Sequence, residues 1–467
     1  MNNNGQPTAI IIFGVSGDLA GRKVLPSIYH LLKDGFLPSK LRVIGTTRQK
    51  LSKEDLLKTI ELCVLETDKV CDPVVLKKFN SIFEVINFDP SAKDDYEKLK
   101  KHLKELEERD KVCFNRLFYL SIPPQIYMPI VRSLGESGLA KGCIEHQKGV
   151  SRLLVEKPFG YDLKSAKALI KQTDKYFKEE QIFRIDHYLA KETAQNILTF
   201  RQRNPLFNDT WNNRQIRRIS VRALEKIGIE GRVNFYENVG ALRDLVQSHL
   251  LQLMALTTMD LPSDIYSSKS IHQEKIRLLN SVSLQKLNKS SLIRGQYESY
   301  KREVGNPHTT TETYVKLTLN IKSKRWSGVP IVLETGKALS KKMTTVTVEF
   351  SKDIDEKSNE LTIRIQPDEG IDIKLFVKKP GFDNQVQPVM MDFSYYQAFS
   401  NQAHPDAYER VIIDAIRGDQ SLFASSREVI RSWQILQPVI DRWQNSSDDL
   451  VIYKNDSLGP ISQDLVN

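Results

Sequence analysis

Ile10-Ile11-Ile12-Phe13-Gly14-Val15-Ser16-Gly17-Asp18-Leu19-Ala20 is the stretch that decides the fold. Its apolar run reads as a strand buried on both faces. Gly14 and Gly17 then break the chain, and residues 24–32 continue at helical period. Strand, glycine turn and helix in that order make a GxxGxxA version of the dinucleotide fingerprint. Glycine permits the tight turn and a close backbone approach, and the helix N-terminus faces a pyrophosphate. A bare structural turn also uses glycine; the strand before it and the helix after it favour a nucleotide.

Working outward, residues 41–44, 82–88, 116–122, 152–155 and 181–183 read as further buried strands. Segments 53–66 and 93–111 read as helices between them. In the second of these, Tyr96, Leu99, Leu103 and Leu106 recur at three- and four-residue steps, with Lys and Glu on the other face. Strands alternating with helices predict a parallel sheet wrapped on both sides. The second strand runs into Thr46-Thr47-Arg48-Gln49, where NAD enzymes usually carry an Asp or Glu for the ribose. Arginine there suits a 2′-phosphate and so NADP, the alternative being a solvated loop arginine.

Beyond about residue 185 the texture changes. Val315, Leu317, Leu319 and Ile321 alternate with polar residues, and the same period recurs in 219–223, 346–350, 361–365 and 371–377. These predict an α+β domain with a large, mainly antiparallel sheet and helices on one face. The predicted division is a Rossmann-like doubly wound domain over 1–185 and a substrate-binding and dimerisation domain over 186–467.

Composition limits the function classes. Lys and Arg number 68 against 58 Asp and Glu, a net charge of +10 over 467 residues. A smeared positive field without long basic blocks suits small anionic ligands better than nucleic acid. Cys63, Cys71, Cys113 and Cys143 form no CxxC pair and no metal spacing, and nothing about them suggests an oxidising compartment. The N-terminus lacks a basic region and a cleavage site, and no apolar run approaches the roughly 20 residues of a membrane span. The expectation is a cytoplasmic protein with no membrane partner.

Two polar groupings stand out. Arg184-Ile185-Asp186-His187-Tyr188-Leu189-Ala190-Lys191 follows the last strand of the first texture, and ligands of open α/β sheets bind beyond strand carboxyl ends. Residues 240–259 read as one long helix carrying Asp244, His249 and Gln252. At about 100° per residue, Asp244 and His249 stand about 140° apart and share no stripe. A lone histidine on such a largely apolar helix is more often a packed, hydrogen-bonded core residue than a base.

With these residues in view, the chain resembles the glucose-6-phosphate dehydrogenase family over nearly its full length. The resemblance runs through 14–20, Tyr-Leu-Ser-Ile-Pro-Pro (119–124), Glu-Lys-Pro-Phe-Gly (156–160) and the 184–191 block. It continues in Gln-Ser-His-Leu-Leu-Gln (247–252), Gly-Lys-Ala-Leu (336–339), Ile-Gln-Pro-Asp-Glu (365–369) and Pro-Asp-Ala-Tyr-Glu-Arg (405–410). It implies oxidation of glucose 6-phosphate at C1 with hydride transfer to NADP, NAD being a poorer alternative. His249 would be the general base and Asp186 its carboxylate partner. His187, Tyr188 and Lys191 would bind the phosphate, Glu225 and Asp244 the sugar hydroxyls, and Lys337 and Lys342 would lie near the substrate. Lys157 would touch substrate and cofactor, with a cis bond to Pro158. Gly14, Val15, Ser16, Gly17, Asp18, Leu19, Ala20, Arg48 and Tyr119 would serve the cofactor. No metal is expected; the expected assembly is a homodimer or a dimer of dimers.

Departures from the family pattern carry expectations of their own. Ala190 stands for the usual Gly, so the backbone there must avoid positive φ. Ser248 stands for the usual Asn. At the positions of the additional structural NADP site of animal members, Glu334, Met343, Thr347 and Asp372 replace Arg, Lys, Arg and Tyr, while Arg364, Gln366 and Lys374 persist. The aromatic C-terminal tail is also missing after Gly459-Pro460, and no second NADP is expected. Two other readings stay open: an oxidoreductase acting on another sugar or hydroxy acid, and a catalytically dead sensor.

Overall fold

The computed structural model describes residues 5–49, 52–68, 70–143, 149–207, 209–288, 290–352, 357–400 and 405–460. It divides into two compact units. The first comprises residues 1–160, 164–190 and 405–426, and the second 161–163, 191–404 and 427–467.

Six strands form the sheet of the first unit: β1 (Thr8–Phe13), β2 (Leu41–Thr47), β3 (Phe83–Asn87), β4 (Asn115–Leu120), β5 (Ser151–Val155) and β6 (Ile182–Arg184). Their order is β3-β2-β1-β4-β5-β6, all parallel. The order reverses direction between β1 and β4, the switch point at which such sheets bind ligands. Every residue of β1 and of β4 is buried, as expected of strands covered on both faces. The helix Lys93–Asp110 buries the expected four residues, Tyr96, Leu99, Leu103 and Leu106.

The single boundary expected after residue 185 differs from these interleaved units, and the reason is local. The helix Ala407–Arg417 is amphipathic and opens with a capping box between Asp406 and Glu409. Its Val411, Ile412, Ala415 and Ile416 belong to the same core as Ile10, Ile28 and Leu117. Glu409 meets His30 Nδ1 at 2.9 Å, and Arg152 donates to the carbonyls of Ala415 and Ile416 at 2.9 and 2.8 Å. A segment distant in sequence thus closes one side of the first sheet.

This helix supplies a pH prediction. Asp414 has a side chain 2% exposed beside Arg410, 2.9 Å away. Burial, only partly offset by Arg410, pushes its carboxyl up to about 6. The folded state therefore binds the proton more tightly than the unfolded state, and this group's contribution to stability falls as pH rises from about 4 to 6. Asp414→Asn should remove that decline. The stability of the variant relative to the parent should grow by roughly 1–3 kcal/mol between acid and neutral pH. Denaturant melts at both pH values measure it, and a pH-independent difference would contradict it.

The second unit holds β7 (Ile216–Leu224), β8 (Val282–Leu284), β9 (Leu292–Tyr297), β10 (Tyr314–Ile321), β11 (Ile331–Gly336), β12 (Met343–Lys352), β13 (Ser358–Gln366), β14 (Gly370–Lys378), β15 (Val386–Ser394) and β16 (Leu450–Tyr453). Their order is β15-β14-β13-β12-β7-β11-β10-β9-β16, with β8 also on β10. Most neighbours are antiparallel; β7 with β11 and β9 with β16 are parallel. Inner strands alternate buried and half-buried residues, whereas β15 is largely exposed.

Cys113 and Cys143 are joined in a disulfide, with Cα atoms 5.8 Å apart. Spacing in sequence did not suggest it, because the pairing depends on two loops meeting at the amino ends of β4 and β5. Cys71 is free, and the Cys63 side chain lies outside the described residues. Among the described residues no helix is long and apolar enough to cross a membrane.

Candidate active site

At the end of β1, Gly14 takes φ +80°, and a Cβ there would sit 2.5 Å from the Ser121 carbonyl oxygen, so glycine is required. The turn is pinned by Gly14 and Val15 amides donating to the Thr46 carbonyl at 3.2 and 3.1 Å, and Gly17 N to Gly14 O at 3.0 Å. Asp18 and Leu19 open the helical run, Ala20 begins a π-helical turn, and the α-helix Leu25–Lys33 follows. Val15 and Ala20 are buried against the sheet. Gly14, Ser16, Gly17, Thr47, Arg48 and Ser121 line a cleft of about 180 Å³. The Ser121 hydroxyl oxygen is buried with no partner among the described residues. A glycine cradle, exposed amides at a helix start and an unpartnered hydroxyl fit a dinucleotide.

Arg48 is exposed at the mouth of this cleft. Its charge also reaches Asp89, whose carboxyl is held low chiefly by Ser91 hydrogen bonds and additionally by Arg48. That acid follows β3 rather than the Arg48 turn, and only the sheet brings the two together.

The carboxyl ends of β5 and β6 carry the next groups. Lys157 is half-buried and its bond to Pro158 is cis, as the resemblance implies. Asp186 is 2% exposed and its Oδ1 accepts the Tyr188 amide at 3.1 Å. His187 Nε2 lies 3.2 Å from Glu156 Oε2, and its ring stacks on Tyr408 at 4.0 Å between centroids. Tyr119, on β4, donates to Glu156 Oε1 at 2.6 Å. Burial, reinforced by that carboxylate, pushes the Tyr119 hydroxyl far up and keeps it a donor. Tyr119 thus supports Glu156 and His187 in this structure. Ala190 is buried with an ordinary negative φ, so its replacement of glycine brings no strain.

In the second unit, the expected long helix over 240–259 is three pieces. The helix Val233–Ala241 breaks at Gly240 (φ 66°, ψ 175°), a π-helix spans Leu242–Leu250, and an α-helix runs Leu251–Thr258. Any side chain at Gly240 would strike the Glu312 carboxylate, which accepts the Leu242 amide at 3.0 Å. The expectation that Asp244 and His249 share no stripe fails for a physical reason. A π-helix bonds residues five apart, so Asp244 and His249 stack one turn above the other. His249 is 5% exposed at the end of this segment, which packs on β7 and β11.

One end of the second sheet collects the remaining positions. Glu225 follows β7 and Lys337 follows β11, its parallel neighbour; their side chains form an ion pair. Lys337 is 1% exposed and lies 5.3 Å from the Tyr236 ring. Lys342 is exposed just before β12, whose Met343 pairs with Leu224. Lys191 precedes the helix Glu192–Arg203 and lies 3.8 Å from Glu369 Oε1, while Glu369 Oε2 accepts from the amide and hydroxyl of Thr193 at 3.0 and 3.1 Å.

Each unit thus gathers its share of the expected residues at one end of its sheet. Glu156, Ser121 and Glu369 were not singled out from sequence, although all three sit inside motifs already quoted. Elsewhere, Glu107 joins Cys113 and Cys143 at the opposite end of the first sheet. Glu107 is already committed to Arg116 at 3.1 Å, and the two sulfurs to each other.

Residues 11–196 match the family model "Glucose-6-phosphate dehydrogenase, NAD binding domain", and residues 198–466 match "Glucose-6-phosphate dehydrogenase, C-terminal domain". The glucose-6-phosphate 1-dehydrogenase of Chlamydia muridarum is 37% identical over 98% of this chain and 94% of its own length. Cytoplasmic glucose-6-phosphate 1-dehydrogenase 5 of Arabidopsis thaliana is 35% identical over 98% of this chain and 90% of its own. A solved glucose-6-phosphate dehydrogenase in complex with its substrate glucose 6-phosphate superposes with TM-score 0.91 at 33% identity, covering 98% of this chain and 96% of that one. Two family models spanning nearly every residue, full-length relatives and the shared architecture place this oxidoreductase in the glucose-6-phosphate dehydrogenase family.

Proposed function

We propose that the chain oxidises glucose 6-phosphate at C1 to 6-phosphogluconolactone with NADP, the first oxidative step of the pentose phosphate pathway. The observation carrying this reading is that the 184–191 block, altered from the family pattern only at Ala190, stands at the sheet's carboxyl edge, with Asp186 buried and held by the Tyr188 amide. When bound, the nicotinamide accepts the hydride that leaves C1.

His249 takes the C1 hydroxyl proton, so the O–H and C–H bonds break as the lactone carbonyl forms. Asp186 orients the imidazole and stabilises it once protonated. His187, Tyr188 and Lys191 offer donors and positive charge to the phosphate. Glu225 and Asp244 accept from sugar hydroxyls, with Lys337 and Lys342 beside them. Lys157 serves substrate and cofactor together. Gly14 to Ala20 hold the pyrophosphate. Appearance of NADPH only when glucose 6-phosphate and NADP are both supplied tests the reading.

The preference for NADP rests on Arg48. Pairing a guanidinium with a 2′-phosphate is worth about 1.5–3 kcal/mol. Arg48→Ala should therefore raise KM for NADP by roughly 10–150-fold and KM for NAD little. Steady-state kinetics with both cofactors decide it; parallel losses would mean that Arg48 does not read the phosphate.

A second, structural dinucleotide is not part of this proposal. Arg364 pairs with Asp372 at 3.1 Å, Lys374 with Glu360, and Glu334 takes Arg222 at 3.0 Å and the Tyr314 hydroxyl at 2.7 Å. A phosphate there would have to displace carboxylates. We further propose that a second copy covers the outer sheet strands, where Val377, Val386, Met390 and Met391 are 39–60% exposed.

A further inference from the structure

Gln252 lies three residues beyond His249, on the helix Leu251–Thr258, within a set of contacts that the chemistry above does not use. Its Nε2 donates to Glu428 Oε2 at 3.0 Å, and its Oε1 accepts from Lys275 Nζ at 3.1 Å. Lys275 and Glu428 pair at 2.9 Å, and both side chains are fully buried. The other carboxylate oxygen lies 2.6 Å from His272 Nδ1. Three helices meet here, Leu251–Thr258, Ser268–Ser281 and Ser426–Asn445. Burial alone would raise the Glu428 carboxyl, but Lys275 and His272 outweigh it and hold the group ionised.

Stability is a poor reason for such an arrangement. A buried ion pair contributes little more than apolar side chains of the same volume. What it adds is direction. The neighbours Leu250, Leu251, Leu253, Met254 and Ala255 are buried and apolar, and the hydrophobic effect that buries them is non-directional. The contacts of the amide are directional. A turn or slide of the helix would part Gln252 from both ions and leave buried charges short of partners. The segment just before it is a nine-residue π-helix, a form usually confined to single turns, so its register depends on contacts from outside.

We infer that Gln252, clamped by Lys275 and Glu428, is a positioning residue that fixes the rotation of the helix presenting the His249 imidazole to the C1 hydroxyl. The inference rests on the reading of His249 as the base.

Gln252→Leu keeps the volume, removes both contacts and leaves Lys275 paired with Glu428. It should lower kcat by about tenfold or more, the scale of a misplaced catalytic group, with KM for glucose 6-phosphate unchanged within about twofold. The isotope effect on kcat with C1-deuterated substrate should rise, because bond breaking becomes slower relative to other steps. The exchange Gln252→Glu with Glu428→Gln keeps one amide, one carboxylate and one ammonium in the triangle, and should bring kcat back to within about threefold of the parent. Gln252→Asn, one methylene shorter, should show the same split as the leucine variant and stands in for it should that variant not fold.

A folded variant with a lower Tm but unchanged kcat and isotope effect would overturn the inference, as would a folded exchange variant without recovery. His249→Asn separates the two claims. Full turnover by that variant removes the base assignment, whereas its inactivity beside fully active Gln252 variants removes the positioning role alone.

Discussion

Replacing His249 by Asn lowers kcat for glucose 6-phosphate oxidation by at least about 10²-fold, the usual worth of a positioned general base. Asparagine retains a polar side chain of similar size but cannot carry the proton from the C1 hydroxyl. His249 is 5% exposed at the end of the π-helical segment, where an asparagine side chain fits the space the imidazole leaves. Fold and substrate affinity should therefore persist while the chemical step fails. Circular dichroism and substrate binding establish the first two, and steady-state kinetics the third. Near-normal turnover by the folded variant would end the assignment.

Lys191→Ala carries the next largest effect, and it is selective. A charge-assisted contact to a phosphate dianion is worth about 1.5–3 kcal/mol, so KM for glucose 6-phosphate should rise roughly 10–150-fold. Free glucose carries no dianion and its weaker turnover should change little. Glu369, 3.8 Å from the ammonium, already offsets part of its charge, which favours the lower part of that range. Removing Lys191 leaves Glu369 still bonded to the Thr193 amide and hydroxyl, so the helix start should survive. Equal losses for both sugars, measured under the same conditions, would show that Lys191 does not bind the phosphate.

Much of the fold was legible because burial leaves a period in the sequence. The parallel strands announce themselves as short, mainly apolar runs, and Tyr96, Leu99, Leu103 and Leu106 mark one helix face. What escaped depends on partners remote in sequence. The π-helix around His249 is held by Glu312 on the Leu242 amide, a contact that no helical period predicts. The helix Ala407–Arg417 finds its core beside Ile28, far earlier in the chain. Strand β15 contains Pro388 and lies at the sheet edge, where a missing N–H donor is tolerated and the apolar alternation blurs.

The site was legible to the extent that its chemistry sits in contiguous motifs. Asp186, His187 and Lys191 stand within one block, although the two compact units divide between Ala190 and Lys191. Glu225 and Lys337 are far apart in sequence, and the parallel pairing of β7 with β11 brings them into an ion pair. The Gln252, Lys275 and Glu428 triangle spans three helices; Gln252 sits in a quoted motif, but nothing local marks Lys275 or Glu428 as its partners. Tyr119 was expected on the cofactor side from resemblance; its bond to Glu156 came from the fold.

Oxidation of glucose 6-phosphate by NADP is read most directly from the absorbance of NADPH formed by the purified chain. Glucose 6-phosphate and glucose would each be offered with NADP and with NAD. The predicted result is rapid NADPH formation with glucose 6-phosphate and NADP, slower NAD reduction, and very weak turnover of glucose. Folded chain that binds NADP yet leaves glucose 6-phosphate unoxidised, or that oxidises glucose equally well, would contradict it.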